Sequence, residues 1–393
     1  MRIAEYGLPN FLIPFGWIRR IPIVIAENII SKPGFIPPSR ERISSHWVGV
    51  QWANPLEHCD WDKQIASQHD PARSFFHSAV WAKVLMETYG YEPIYFVSKA
   101  SRAIHSVLPL MEVASSLTGK RAVALPFTDT CEPLCLDKSE FAELFRNAVE
   151  LARMRDWKYL EFRGGETFFN ATAPSLSFYG HSIEIPPDEN TFFPRLDGAV
   201  RRAIRKAEKS GVRVEISRDL RAVRQYYLLH CKTRKRHGLP PQPFSFFKNI
   251  HKHVLSEDFG FVVLAHWNKA PVAGAIFFHA GDKAIYKFGA SDDACQHVRG
   301  NNLVFREAIC WCSRNGIRTL DLGRTSMTNE GLRRFKSGWN AEERKIGYFR
   351  FSLRTMKFIS MRDEGSGWHN RIFRALPLPA SRMAGEILYR HWA

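Results

Sequence analysis

The strongest constraint on this chain is that one order of helix and strand signals runs through it twice. In the first half, Phe76, Val80, Val84 and Leu85 fall on one face of a helix spanning Phe75 to Tyr89. Tyr91-Glu92-Pro93 ends that helix. Ile94 to Ser98 reads as a strand, Lys99 to Arg102 as a turn and Ala103 to Met111 as a second strand. A further strand surrounds Val123. A helix from Ser139 to Arg155 follows, with Ser139 as its N-cap and Phe141, Leu144, Phe145, Ala148 and Leu151 directed inward. The strand Tyr159 to Phe162 then runs into Arg163-Gly164-Gly165. In the second half, a helix from Phe244 to Leu255 leads to strands Phe261 to His266, Val272 to His279 and Ala284 to Phe288. A helix from Asn302 to Asn315, stopped by Gly316, precedes the strand Thr319 to Leu322, which closes at Gly323. In both halves a helix returns to a strand within a few residues, as a crossover onto a central sheet requires. The prediction is a mixed α/β fold (α+β sheet) built from two similar domains.

A length of 393 residues suits two cores rather than one. Pro186, Pro187 and Pro194 place the boundary near residue 190. The expected organisation is an N-terminal extension over 1–44, a first domain over 45–190, a second over 191–355 and a C-terminal tail over 356–393. The extension holds two apolar runs, Phe11 to Ile18 and Ile21 to Ala26, split by Arg19-Arg20. Neither reaches the ~18 residues of a membrane span, and a signal peptide carries its charge before its apolar core. The tail reads as two short amphipathic helices, Trp368 to Leu376 and Ala380 to Trp392, with Arg371, Arg374, Arg382 and Arg390 among their apolar positions. The expected location is cytoplasmic, with this tail as the candidate for peripheral contact with the inner face of the membrane.

Composition enters through charge. The net charge is +17, and Arg195 to Arg236 alone carries fourteen Lys/Arg against four Asp/Glu. Such a field favours anionic partners: nucleic acid, a sugar or lipid phosphate, or an acidic surface. Seven cysteines without paired zinc-ligand spacing point to free thiols and to no metal site. The sequence has no Gly-x-Ser-x-Gly, His-Glu-x-x-His or Gly-x-x-x-x-Gly-Lys-Ser/Thr motif.

Two stretches carry candidate chemistry. Arg299-Gly300-Asn301-Asn302 precedes a helix, whose first N–H groups form an anion site for a donor; a simple helix cap at Asn301 explains the same residues. Farther on, Gly323-Arg324 ends the last core strand, and Gly331-Leu332-Arg333-Arg334-Phe335-Lys336-Ser337-Gly338-Trp339 reads as a loop with Lys336 behind an aromatic residue. A fixed ammonium there suits the oxyanion of a tetrahedral intermediate.

The Gly-x-x-x-Phe-Lys-x-x-Trp pattern at Gly331 to Trp339, after Leu320-Asp321-Leu322-Gly323, resembles the FemAB family. So do Arg201 to Gly211, Thr233-Arg234-Lys235-Arg236-His237-Gly238-Leu239 and the Phe76 to Trp81 helix followed by Tyr89-Gly90-Tyr91. Together these span roughly residues 45 to 355. The resemblance implies tandem GNAT-like domains with a C-terminal helical tail and one active cleft, in the second domain and its interface. It implies a catalytic role for Lys336, with Phe335 lining the site. Arg236, Thr233, Tyr286 and Arg324 are the implied substrate-binding residues. It also implies aminoacyl-tRNA as donor and a peptidoglycan precursor as acceptor. The helical arm of the tRNA-handling members has no counterpart between Arg221 and Pro243, so the chain is most similar to short members associated with exopolysaccharide and cell-envelope genes.

Three readings follow. The first is acyl or aminoacyl transfer to an amine of a cell-envelope or polysaccharide precursor, with no tightly bound cofactor. The second is an acyl-CoA-dependent N-acyltransferase using the loop Arg299 to Asn302. The third is a non-catalytic binder of an anionic sugar-lipid or RNA. An enzyme of the first kind requires Lys336 to face a cleft that Arg236 and Tyr286 also reach. A CoA enzyme requires an open groove between splayed strands beside Arg299.

Overall fold

The computed structural model describes residues 48–392 apart from 69, 101–102, 170–171 and 362–367; the expected extension over 1–44 lies outside the described residues. The first unit comprises β1 (Val48–Ala53), α1 (Trp61–Ser67), α2 (Ala79–Tyr89), β2 (Glu92–Pro93), β3 (Tyr95–Ala100), β4 (Ala103–Leu108), β5 (Met111–Val113), β6 (Arg121–Val123), α3 (Lys138–Met154), β7 (Tyr159–Arg163) and β8 (Leu176–Glu184). The second begins with α4 (Glu189–Phe192), α5 (Gly198–Lys209), β9 (Arg213–Ser217), α6 (Leu220–His237) and α7 (Phe244–Ile250). It continues with β10 (Gly260–Trp267), β11 (Ala270–Ala280), β12 (Lys283–Ser291), α8 (Gly300–Arg314), β13 (Thr319–Ser326), α9 (Glu330–Ser337), β14 (Glu342–Ser352) and β15 (Lys357–Phe358). The tail forms α10 (Trp368–Ala375) and α11 (Leu378–Leu388).

One large sheet runs through both units in the order β2-β5-β6-β7-β14-β8-β13-β12-β11-β10-β9, with β15 paired to β14; β1, β3 and β4 form a separate antiparallel sheet. The units exchange strands. β14 leaves the second unit and pairs antiparallel with both β7 and β8 of the first, while β8 pairs antiparallel with β13. β10, β11 and β12 are buried on both faces, which is why they read as continuous apolar runs instead of alternating ones. Val200, Ile204 and Ala207 of α5 and Phe305, Ala308 and Ile309 of α8 cover one face of this half of the sheet. Tyr226 of α6, Phe246 and Phe247 of α7 and Trp81 of α2 cover the other.

Three local expectations are corrected. Asp137, not Ser139, caps α3, accepting from the N–H groups of Ser139 and Glu140. Lys336 stands on a helix, α9, not in a loop, because Asn329 caps that segment by accepting from Leu332 N. Arg299, in the left-handed region at φ 60, occupies the position before α8, and no side chain caps that helix.

The tail is a clasp across both units. Tyr389 is fully buried, and its hydroxyl accepts from Arg234 Nη2 at 2.5 Å and donates to Pro240 O at 3.2 Å. From the first unit, Tyr91 Oη donates to Tyr389 O at 2.9 Å and Arg121 Nη2 to His391 O at 2.7 Å. Removing the Tyr389 side chain vacates the junction of Phe127, Tyr91 and Arg234, so Tyr389→Ala should cost about 3–5 kcal/mol in urea unfolding.

His237, at the end of α6, supplies a pH signature. Burial, reinforced by Arg236, Arg234 and Arg374, pushes its imidazole down to about 4. The unfolded chain binds that proton near pH 6.5 and the folded chain does not. Stability from this group is therefore complete above pH 6.5 and falls as pH drops toward about 4. His237→Gln should flatten that part of a pH–stability curve.

Candidate active site

β12 and β13 run parallel but pair only from Lys283–Ile285 to Thr319–Asp321. Beyond that they part. Gly323, at φ 72, turns the chain of β13 in the left-handed region, and the register of β13 on β8 shifts between Asp321 and Arg324. The carbonyls freed by this parting are met by a lysine from α9. Lys336 Nζ donates to Gly323 O at 2.8 Å and Arg324 O at 3.1 Å, and the residue is 2% exposed. Burial pushes its ammonium down to about 8, against the opposing pull of Asp129 and Asp321.

The first unit repeats the geometry without the lysine. β6 and β7 pair in parallel only at Ala122–Leu160 and Val123–Glu161. Arg163 fills the space beyond, donating to Leu125 O at 3.2 Å, Thr128 O at 3.1 Å and Glu161 at 3.0–3.1 Å. Burial would raise the Glu161 carboxyl, but Arg350 and Arg163 outweigh it and hold it down to about 2. That parting is sealed by a hydrogen-bonded network of two arginines on one carboxylate.

A cavity of about 430 Å³ opens between the units beside the second parting. Ile285 and Asp321 contribute to it from the strands, Phe76, Thr130 and Glu132 from the first unit, and His181 from β8. Leu320 and Leu322 join the core under α8, so Asp321 between them points the opposite way, into the cavity. Burial raises the Asp321 carboxyl, although Gly323 N donates to it at 2.6 Å. His181 is pushed down to about 4 by burial and then by Lys336, a sign of how near the ammonium lies. Lys336 binds β13 two residues beyond Asp321, whose charge favours the ammonium, but Lys336 does not itself line the cavity.

The other sequence candidates fall in three places. Tyr286 flanks the parting: its ring packs on Phe305 at 4.7 Å, and a Cβ at Gly289 would collide with its hydroxyl. Phe335 packs edge-on to Phe305 at 5.4 Å on the same side. Arg324 stacks on Phe178 at 4.2 Å and Tyr348 at 5.0 Å, with Nε 3.7 Å from Asp129 Oδ1. Thr233 and Arg236 lie elsewhere, near the C-terminal end of α6, Thr233 against the end of β12 and Arg236 against the tail. Thr233 is buried, its hydroxyl exchanging 3.0 Å hydrogen bonds with the backbone of Ser291. Arg236 Nη1 is 3.5 Å from Asp293 Oδ1, and its carbonyl accepts from Arg374 Nε. Neither lines the cavity.

At the start of α8, Gly300 packs against Val272 and Ala273, Asn302 is buried with its N–H bonded to Arg299 O, and Asn301 and Arg299 are half-buried. Tyr286, Phe305, Phe335 and Trp339 form a continuous aromatic cluster on the α8 side of the parting.

Sequence reasoning missed Asp129 and Lys287. Asp129 arrives from the first unit, and nothing local in Phe127-Thr128-Asp129-Thr130 announces it. Lys287 did carry a signal: a lysine inside the otherwise apolar run Ala284 to Ala290. Among the described residues no cluster of His, Cys, Asp or Glu is placed to hold a metal ion.

Residues 196–337 match the family model for an acetyltransferase (GNAT) domain, and that unit carries the parted strands and Lys336. That unit is thus a GNAT-type acyltransferase domain by class, set in a mixed α/β fold. The solved structure of FemX shares this fold, with a TM-score of 0.62 at 15% identity over 78% of this chain and 98% of FemX. A tandem GNAT protein from the clavulanic acid biosynthesis pathway reaches a TM-score of 0.48 at 11% identity, over 77% of this chain and 98% of its own. The C-terminal domain of a putative lysylphosphatidylglycerol synthetase from Agrobacterium fabrum also reaches 0.48, at 13% identity over 73% and 90%. No curated protein matches the chain in sequence.

The burial of Lys336 is directly measurable. NMR of protein labelled at the lysine ε-carbon should show a resonance titrating near pH 8, charged below and neutral above, that vanishes in Lys336→Met.

Proposed function

We propose that this protein transfers an acyl or aminoacyl group to an amine of a cell-envelope or polysaccharide precursor. The observation that carries the reading is the Lys336 ammonium held on two carbonyls at the parting of β12 and β13, beside a cavity that presents Asp321. An acceptor enters the cavity as its ammonium form, and Asp321, whose raised pKa makes it a stronger base than an exposed carboxylate, takes the proton. The free amine attacks the donor carbonyl. The resulting oxyanion faces Lys336; collapse of the intermediate breaks the bond to the carrier, which leaves with the proton that Asp321 took, and the attacking nitrogen gives up its extra proton to solvent.

Aminoacyl-tRNA is the donor that the surroundings favour over acyl-CoA. The parting on the α8 side is packed with Tyr286, Phe305 and Phe335. A polyanion has a ready landing surface instead: Arg201, Arg202, Arg205, Lys206 and Lys209 are exposed on α5, and Arg333 and Arg334 on α9. The two helices adjoin, Asp197 N donating to Gly338 O at 3.1 Å. Such contacts make affinity fall with added salt.

The test is consumption of radiolabelled aminoacyl-tRNA or acetyl-CoA in the presence of amino-sugar and muropeptide acceptors. Transfer from charged tRNA that drops ~10²–10³-fold in Lys336→Met is the expected result. Transfer from acetyl-CoA alone would overturn the donor assignment. Transfer unaffected by Lys336→Met would overturn the site.

A further inference from the structure

Behind the cavity's lining, next to Phe76, lies more positive charge than its surroundings neutralise. Lys287 is 3% exposed, with its Nζ over the rings of Phe76 at 5.5 Å and Phe288 at 5.2 Å. That Nζ makes no hydrogen bond, and its carboxylate neighbour, Asp129 Oδ2, is 3.7 Å away. The same carboxylate faces Arg324, also at 3.7 Å. A single aspartate thus sits between a lysine and an arginine at distances too long for hydrogen bonds, with the Lys336 ammonium acting on it from α9. Burial lowers the Lys287 pKa, and Asp129 only partly opposes it. A buried ammonium without a hydrogen-bonded partner is destabilising, and such groups concentrate at functional sites.

The cluster lies behind the cavity's lining, and none of Lys287, Asp129 and Arg324 is itself a lining residue. Lys287 lies two residues after Ile285 on the same face of β12, and its Nζ rests on Phe76; Asp129 precedes Thr130; Arg324 follows Asp321 across the Gly323 turn. Ile285, Phe76, Thr130 and Asp321 all line the cavity. At about 430 Å³ the cavity has room for a sugar ring or an amino-acid residue.

We propose that Lys287 and Arg324 form a subsite that binds a carboxylate or phosphate group of the acceptor beside this cavity. The proposal deepens the reading above, since it takes the cavity for the acceptor's. It narrows the acceptor to molecules that carry an amine and an oxyanion within one small unit, such as an amino acid residue or a phosphorylated amino sugar. The planar guanidinium of Arg324, clamped on Phe178 and Tyr348, supplies paired donors, and Lys287 supplies the point charge. Asp129 keeps the empty site folded by partial neutralisation and competes with the ligand.

Thermal unfolding of the full chain, with inorganic phosphate or acetate titrated against chloride at matched ionic strength, tests this. Tm of the native protein should rise saturably with at least one of the two anions, and the tighter one indicates whether the natural group is a phosphate or a carboxylate. Lys287→Met and Arg324→Lys should each weaken that response about tenfold or more. Asp129→Asn, which removes the competing charge at constant shape, should strengthen it by a similar factor. Should Lys287→Met fail to fold, the opposite effects of Arg324→Lys and Asp129→Asn still decide the matter. Equal affinity in all variants would put the anion on the exposed α5–α6 surface and overturn the proposal, as would the lack of a saturable response in the native protein. Neither result depends on acyl transfer, so the subsite and the proposed reaction stand or fall separately.

Discussion

The structure depends on one pairing arrangement: β14, from the second unit, hydrogen-bonds to both β7 and β8 of the first. Through it, and through β8 on β13, two modest sheets become one, and the relative position of the units is fixed by backbone hydrogen bonds rather than by a soft interface. Every cross-unit feature of the site follows. Asp129 reaches the Gly323 turn because Tyr348, on β14, donates its hydroxyl to Asp129 O at 2.6 Å. His181 reaches the cavity because β8 runs between β14 and β13. The tail adds a second bond between the units on the far side, where Tyr389 joins Tyr91 to Arg234.

The repeat was legible in the sequence because its elements bury a clear apolar face. The helices at Phe75 to Tyr89, Ser139 to Arg155 and Asn302 to Asn315, and the strands that became β10 to β13, lie within a few residues of their expected bounds. β8 and β14 were not legible, and these are the strands that join the units. Leu176–Glu184 mixes Ser177, Gly180, His181 and Ser182 with its apolar residues, and Glu342–Ser352 opens with four charged residues. Their polar side chains are held by partners distant in sequence: His181 Nε2 lies 3.1 Å from Glu343 Oε2, and Arg350 pairs with Glu161. No local pattern encodes such compensation.

For the site, the family resemblance of Gly331 to Trp339 singled out Lys336 and the strand that precedes it but not what surrounds them. The helix α9 looked like a loop because Gly331 and Gly338 bracket a run of cations, yet Leu332 and Lys336 fall one turn apart and both are buried. That placement turns a surface-type residue into a desolvated ammonium. The tail shows the reverse case. Its basic amphipathic helices suited a membrane surface, but Phe373, Tyr389 and Trp392 are buried against α6 and the first unit, while Ile372, Met383 and Ile387 remain exposed.

The two partings show why a duplicated fold carries one candidate centre. In each, parallel strands separate after a few residues and leave carbonyls without ladder partners, which must be satisfied. The first unit satisfies them with Arg163, which Glu161 holds by two hydrogen bonds while also pairing with Arg350. The second satisfies them with Lys336 and gathers Lys287 and Arg324 around a single close carboxylate, Asp129, leaving positive charge to be completed. The sheet separates what can approach that centre. Asp321 and Ile285 face the cavity between the units, whereas Tyr286, Leu320 and Leu322 face α8, and the exposed cations of α5 and α9 lie on that second side. In the proposed reaction acceptor and donor therefore come from opposite faces and meet only where β12 and β13 part, at the end of Lys336. Such an arrangement keeps the two substrates from competing for one opening, and it places the charge that stabilises the intermediate where neither substrate alone has to pass it.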